Sequence, residues 1–107
     1  MQRTTSTFEF AATGTELTTL ICENGYLTDY VLTVPNFTNN VTATLSILDD
    51  NDVTIWTGDA KARNATAVVN SLTVPVDRNF TLKCTLSGVA GGSGGDVVAQ
   101  TFIQTAK

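Results

Sequence analysis

Alternation of apolar and polar residues in the last third of the chain constrains the fold more than any other feature. Two runs, residues 80–87 and 97–104, place an apolar or small side chain at every second position. A period of two is typical of a β-strand with one buried and one solvent-facing side. The glycine-rich residues 88–95 separate the runs, so we predict a hairpin with a flexible tip. The predicted buried positions are Phe80, Leu82, Cys84, Leu86, Val97, Ala99, Thr101 and Ile103.

A second hairpin is predicted in the middle of the chain. Residues 41–47 alternate in the same way, residues 49–52 are an acidic turn, and residues 53–57 return. Strict alternation puts Val53 and Ile55 on one face and Trp56 on the opposite, polar face. Two interpretations of Trp56 stay open. Either a loop or the first strand covers it, or it contacts another subunit, where tryptophan is enriched.

The remaining pattern predicts an all-β protein. Short β-prone runs separated by turn residues recur at roughly ten-residue spacing, which is typical of a sandwich. We predict one β-sandwich of about 7–8 strands over residues 7–107, either immunoglobulin-like or jelly-roll-like. The polar residues 1–6 are predicted to be an N-terminal arm, and residues 60–65 a loop with at most one helical turn. A length of 107 residues suits a single domain.

Charge and cysteine content exclude several classes of function. The formal net charge is -4 with no basic cluster, which argues against nucleic-acid binding. No apolar run is long enough for a membrane-spanning helix, and residues 1–7 lack the apolar core of a signal peptide. We therefore expect a cytoplasmic site of synthesis. In a reducing compartment, buried free thiols are favoured over a disulfide between Cys22 and Cys84, although the bridge stays open.

Residues that carry chemistry are scarce in the sequence. The chain has no histidine, so a serine or cysteine nucleophile has no ordinary base. The acidic turn lacks the alternate ligand spacing of an EF-hand, and the glycine-rich segment lacks the Gly-Lys-Thr ending of a phosphate-binding loop. We expect no catalytic residue, no metal site and no cofactor, and hence a protein that is not an enzyme.

The chain resembles small structural proteins of tailed bacteriophages. The resemblance is carried by the strings VPNFT (34–38), ATLSILD (43–49), LSG (86–88) and GGSGG (91–95). It implies a virion component assembled in the host cytoplasm, most plausibly a capsid decoration or cement protein, with a neck or tail accessory protein as the nearest alternative. The implied partners are the major capsid protein or other virion proteins, and self-association is left open.

On this hypothesis the contact surfaces are predicted in three places. They are the N-terminal arm, one aromatic side chain of the middle hairpin, and the glycine-rich tip, because an arm and a glycine-rich loop can become ordered on docking. A carbohydrate-binding or host-surface-binding module is the rival from another class, and it would use Tyr26, Tyr30 and Trp56. The candidate interface residues are Gln2, Arg3, Thr4, Thr5, Trp56, Gly91, Gly92, Ser93, Gly94 and Gly95.

Overall fold

Two antiparallel β-sheets make up the fold. The computed structural model describes residues 2–76 and 79–105; Met1, residues 77–78 and residues 106–107 lie outside them. Within these ranges the chain forms ten strands and no helix, which confirms the all-β sandwich. The strands are β1 (Gln2–Phe10), β2 (Glu16–Ile21), β3 (Gly25–Val34), β4 (Thr42–Leu48), β5 (Thr54–Thr57), β6 (Lys61–Ala62), β7 (Ala65–Val69), β8 (Val74–Val76), β9 (Phe80–Leu86) and β10 (Gly95–Thr105).

The strand order is that of a jelly roll. Sheet A has the order β1-β10-β3-β7, and sheet B has the order β2-β9-β4-β5. Strand β8 continues the position of β7 along β3, and β6 continues that of β5 along β4. The ten strands therefore occupy eight positions, close to the predicted number. The last strand lies between the first and third, and the ninth between the second and fourth, which is the double Greek key of a jelly roll. This order excludes the immunoglobulin-like alternative.

The strongest hairpin prediction is wrong. Strand β9 pairs with β2 and β4 in sheet B, whereas β10 pairs with β1 and β3 in sheet A. Residues 87–94 therefore cross from one sheet to the other instead of closing a hairpin. Alternation reports that each strand buries one face, but it carries no information about which neighbour its backbone pairs with. The buried positions themselves are as predicted.

The middle hairpin is confirmed, but its register differs from strict alternation. Strands β4 and β5 pair antiparallel, and a bulge between Ile47 and Leu48 shifts the register. Because a one-residue shift moves every following side chain to the other face, Trp56 pairs with the fully buried Ile47 and faces the interior. Val53 is 56% exposed and Ile55 is 44% exposed. The connection after β5 contains the two-residue strand β6 in place of a helical turn.

The predicted N-terminal arm is part of the sandwich from Gln2 onward. Strand β1 pairs with β10 without interruption, from Gln2 opposite Ile103 to Phe10 opposite Gly95. The Ser6 side chain is only 8% exposed and Phe8 is buried. The polar serine and threonine residues led to the prediction of an arm. They also suit a strand whose backbone is paired and whose outer face is exposed to solvent.

The core lies between the two sheets, and Cys84 is in it. Its side chain is fully buried on β9, and burial raises the pKa of its thiol to about 12. Both cysteines are free, as the sequence favoured, but the expected burial is confirmed only for Cys84, because Cys22 is exposed. Edge-to-face contact between Phe10 and Phe37, with ring centroids 6.3 Å apart, closes the core under the connections at one end. Because the Cys84 thiol is buried and its pKa is raised, it is unreactive in the folded protein.

Candidate docking surfaces

The connections at one end of the sandwich are bound to one another by hydrogen bonds. The Gly91 N–H donates to the Ala12 carbonyl over 2.8 Å, and the Asn39 N–H donates to the Ala90 carbonyl over 3.0 Å. In the β6–β7 connection, the Arg63 guanidinium donates to two carbonyls of the β3–β4 connection, over 2.8 and 3.0 Å. We call this the glycine-loop end. Its four connections, residues 11–15, 35–41, 63–64 and 87–94, form one ordered surface.

The glycine-rich segment owes its shape to its own chain. Gly91, Gly92 and Gly94 have φ angles of +79°, +54° and +74°, which only glycine adopts at low cost. Ala90 is fully buried, and a side chain at Gly94 would overlap the Phe10 carbonyl. The expectation of a flexible tip, or of one shaped by a partner, is therefore wrong. Of the candidate interface residues here, Gly92 and Ser93 are exposed, and Gly91, Gly94 and Gly95 are half-buried.

The N-terminal candidates lie far from the glycine-loop end. Residues 2–5 are at the opposite end of β1, since Phe10 and not Gln2 leads into the β1–β2 connection. Arg3 and Thr5 are exposed on the outer face of sheet A, whereas Thr4 is half-buried and its carbonyl accepts a hydrogen bond from the Thr101 hydroxyl over 3.3 Å. The side chain of Gln2 is outside the described part of the structure. The predicted contact surfaces therefore do not form one patch.

Trp56 lies at a third place, on an edge strand of sheet B. Its ring contacts Tyr30 of sheet A edge to face, with centroids 5.7 Å apart and an interplanar angle of 75°. The side chain is half-buried and packs against the core. Part of its cover therefore comes from Tyr30 of the facing sheet. The role of Trp56 in an interface stays a prediction.

An apolar surface that the sequence did not reveal lies on the outer face of sheet A. Phe102, Val31 and Val68 line a shallow depression of about 400 Å³, with Asp29 and Asn70 at its border. Val31 and Val68 are directly paired across β3 and β7, and Val68 is 61% exposed. We call these five residues, together with Arg3 and Thr5, the sheet A face.

Register brings the N-terminal candidates to this face. Arg3 is opposite Phe102 and Thr5 is opposite Gln100, in the two strands β1 and β10. Phe102 in turn is opposite Asp29 on β3. A cation, an aromatic ring and a carboxylate therefore form one row across three strands. Only the pairing of β1 with β10 and of β10 with β3 shows this, because the three residues are remote in sequence.

The described residues contain no cluster of three or more histidine, cysteine, aspartate or glutamate side chains that could hold a metal ion.

The acidic turn is explained by its backbone. The Asp49 carboxylate accepts from the N–H groups of Asn51 and Val53, each over 2.9 Å, and closes the β4–β5 turn as predicted. Over the described ranges, no helix has the length and hydropathy needed to cross a membrane.

Comparison with solved structures places the fold among known β proteins. The crystal structure of a mitogen derived from Yersinia pseudotuberculosis has a TM-score of 0.50 at 11% identity, covering 99% of this chain and 89% of the mitogen. The infectious bursal disease virus Gx strain has a TM-score of 0.42 at 12% identity. The VP2 subviral particle of the same virus has a TM-score of 0.41 at 14% identity. This chain covers 33% of each of the two viral chains.

At these identities the similarity to the mitogen shows a shared fold and no more. The chain spans about a third of the length of the viral chains that it resembles. No family model and no curated protein matches the sequence. Structural neighbours thus include a viral capsid protein and a bacterial mitogen, and function has to be argued from the surface of this chain.

Proposed function

We propose that the chain is a non-enzymatic structural protein of a virus particle, and that it binds the capsid surface of a tailed bacteriophage as a decoration or cement protein. The sheet A face is the observation that carries the docking part of this proposal. Its apolar side chains are contiguous, with Val68 exposed and Val31 and Phe102 half-buried, and contiguous apolar side chains at the surface of a monomer mark interaction sites when polar residues surround them. The phage part rests on the resemblance of the strand-and-turn strings, and the jelly roll is a fold that capsid domains use.

The geometry of the sheet A face suits a broad, flat partner. The depression is shallow, and its apolar residues lie on three neighbouring strands, so a partner reaches them without entering the fold. Stable interfaces bury about 800 Å² on each side. An extended face of this kind, with Arg3 and Asp29 as polar anchors at either side of Phe102, can orient the domain on a capsid subunit.

Binding would stabilise the shell by mass action. A ligand that binds only the assembled lattice stabilises it by about 2.7 kcal/mol per site when its free concentration is 100 times Kd. Many weak sites on one shell add to a large resistance against heat or low salt. This is how a small domain without a catalytic group would contribute to a particle.

The first test is the location of the protein. Gel analysis and mass spectrometry of purified particles, and of separated heads and tails, should find it in the heads at many copies. Recovery in tails or necks would favour the accessory alternative. Absence from all particle fractions would overturn the proposal.

The second test uses two matched variants. Val68 is 61% exposed on sheet A and Leu20 is 62% exposed on sheet B, so each aspartate replacement removes a similar exposed side chain. In a sedimentation assay with particles that lack the protein, Val68→Asp should lower occupancy at least tenfold, and Leu20→Asp should bind as the wild type does. Equal occupancy of both variants would show that the sheet A face is not the docking surface.

Deletion of residues 2–6 would not be a clean test of the N-terminal contact residues, so a point substitution is used instead. Because this segment is half of β1 and pairs with β10, its removal would take away backbone hydrogen bonds and the buried Ser6. A loss of binding would then report unfolding. Arg3→Glu is the better variant, since Arg3 is exposed and its change leaves the strand intact.

A further inference from the structure

A small aromatic cleft opens between the two sheets at the side where β5 and β7 are the edge strands. Its volume is about 170 Å³, and it is lined by Tyr30, Trp56, Thr57, Gly58, Asp59, Val69 and Leu72. It is smaller than the roughly 300–1,000 Å³ of sites for drug-sized ligands and cofactors. One side chain or one small functional group is the size of occupant that fits.

Glycine at position 58 keeps the cleft open. A Cβ atom added there would lie 2.9 Å from the Tyr30 hydroxyl oxygen and 3.0 Å from the Trp56 ring, so any side chain would fill the space between the two aromatic residues. The backbone is held in place, because the Gly58 N–H donates to the Leu45 carbonyl over 2.8 Å. The two rings and this backbone therefore form fixed walls.

The charge of the cleft is negative. Asp59 is the only ionised side chain among its lining residues, and no lysine or arginine is one of them. Burial and, after it, the negative charge of Asp59 raise the pKa of the Tyr30 hydroxyl. The carboxylate therefore acts on the same space as the hydroxyl. Among the described residues Asp59 has no ion-pair partner, and Lys61, two positions later in β6, is not one of the residues that line the cleft.

We propose that this cleft binds the cationic end of a lysine or arginine side chain from a protein partner. A cation next to the half-buried ring of Trp56 gains a cation–π interaction, which is strongest with tryptophan. The Asp59 carboxylate supplies the opposite charge, and the Tyr30 and Thr57 hydroxyls can accept hydrogen bonds from N–H groups. The cleft does not depend on the virion role, and it is on a different face from Val68.

Titration with capped amino acids tests the cleft directly. Trp56 is the single tryptophan of the chain, so its fluorescence and its indole N–H resonance report on this site alone. Lysine and arginine blocked at both ends should shift both signals, with Kd roughly 10 mM, as expected for a single group. Blocked norleucine, which has a similar chain without the charge, and methyl glucoside should not.

Three variants complete the test. Asp59→Asn should weaken binding about 1.5- to 5-fold, as expected for an exposed ion pair, and Gly58→Ala should abolish it by filling the space. Asp50→Asn removes the same charge at an exposed turn position and should bind normally. The Asp59 variant keeps the test valid if Gly58→Ala unfolds. Equal binding of norleucine, preference for the glucoside, or an Asp59→Asn variant with unchanged Kd would each overturn the proposal.

Discussion

Replacing Gly94 by alanine should strongly destabilise the protein, because the glycine-rich segment is a packed crossing between sheets. Gly94 has a φ angle of +74°, and its missing side chain makes room for the Phe10 carbonyl. An added Cβ would also lie 2.9 Å from the Phe10 carbonyl carbon and 3.0 Å from that of Ala11. All three atoms are backbone, so rotation of a side chain cannot relieve the overlap.

The magnitude follows from two costs. A left-handed conformation costs a residue other than glycine about 1–2 kcal/mol. Forcing backbone apart at a packed contact costs about 1–3 kcal/mol more. The sum, about 2–5 kcal/mol, is a large part of the roughly 5–15 kcal/mol that stabilises a domain. For a domain of this size each 1 kcal/mol lowers Tm by about 4–8 °C, so a decrease of roughly 8–40 °C is expected.

Two neighbours in the same segment provide a graded comparison. Gly92 has a φ angle of +54°, but its added Cβ meets the end of the Thr38 side chain, which can rotate away, so we expect about 1–2 kcal/mol. Gly88 has its nearest contact at 3.5 Å, to a Val41 methyl group, so alanine there should change stability by less than about 0.5 kcal/mol.

Denaturant unfolding of the three alanine variants, followed by Trp56 fluorescence, measures these differences. The expected order of destabilisation is Gly94, then Gly92, then Gly88. If the free energies of unfolding of Gly94→Ala and Gly88→Ala agree within about 0.5 kcal/mol, the segment is a flexible tip and the packing argument is wrong.

Three further predictions concern the cysteines, the pH dependence of stability and the loop contacts. Iodoacetamide at pH 8 should label Cys22 alone in the folded protein and label Cys84 only after denaturation, as mass spectrometry would show; labelling of both in the folded state would contradict the burial of Cys84. The folded-state pKa of Cys84 is raised from 9.0 to about 12, so the free energy of unfolding should decrease as pH rises from about 9 to about 12. In the Cys84→Ala variant this decrease should be smaller, and the remaining part is due to Tyr30, whose pKa is also raised. Arg63→Ala should cost about 1–3 kcal/mol in denaturant unfolding by removing its hydrogen bonds to two carbonyls, whereas Arg3→Ala, at an exposed strand position, should cost less than about 0.5 kcal/mol; equal values would argue against the Arg63 contacts.

The contact surfaces stay a prediction, and two of their N-terminal residues lie on the face that the structure singles out. Arg3 and Thr5 lie on the apolar sheet A face, but the sequence proposed them as members of a free arm. The sequence did not predict a contact role for Phe102, Val31 and Val68. These residues alternate with buried ones, so they look like the ordinary solvent-facing side of their strands. Their proximity is a result of strand pairing over long sequence distances, between β10 and β3 and between β3 and β7.

Local pattern alone indicated most of the strands and most of the side chains that they bury. The period of two correctly places Cys84 and Leu82 in the core. Such properties depend on neighbours one or two residues away. They can therefore be read without knowledge of the fold.

Only the tertiary structure decided how the strands pair. Strands β9 and β10 look like a hairpin, yet they enter different sheets, and the register shift between β4 and β5 turns Trp56 towards Tyr30. Every residue except proline offers the same backbone donor and acceptor, so these hydrogen bonds do not specify which strand a given strand pairs with. The partner is selected by the packing of both sheets around one core, and this selection creates the sheet A face and the aromatic cleft.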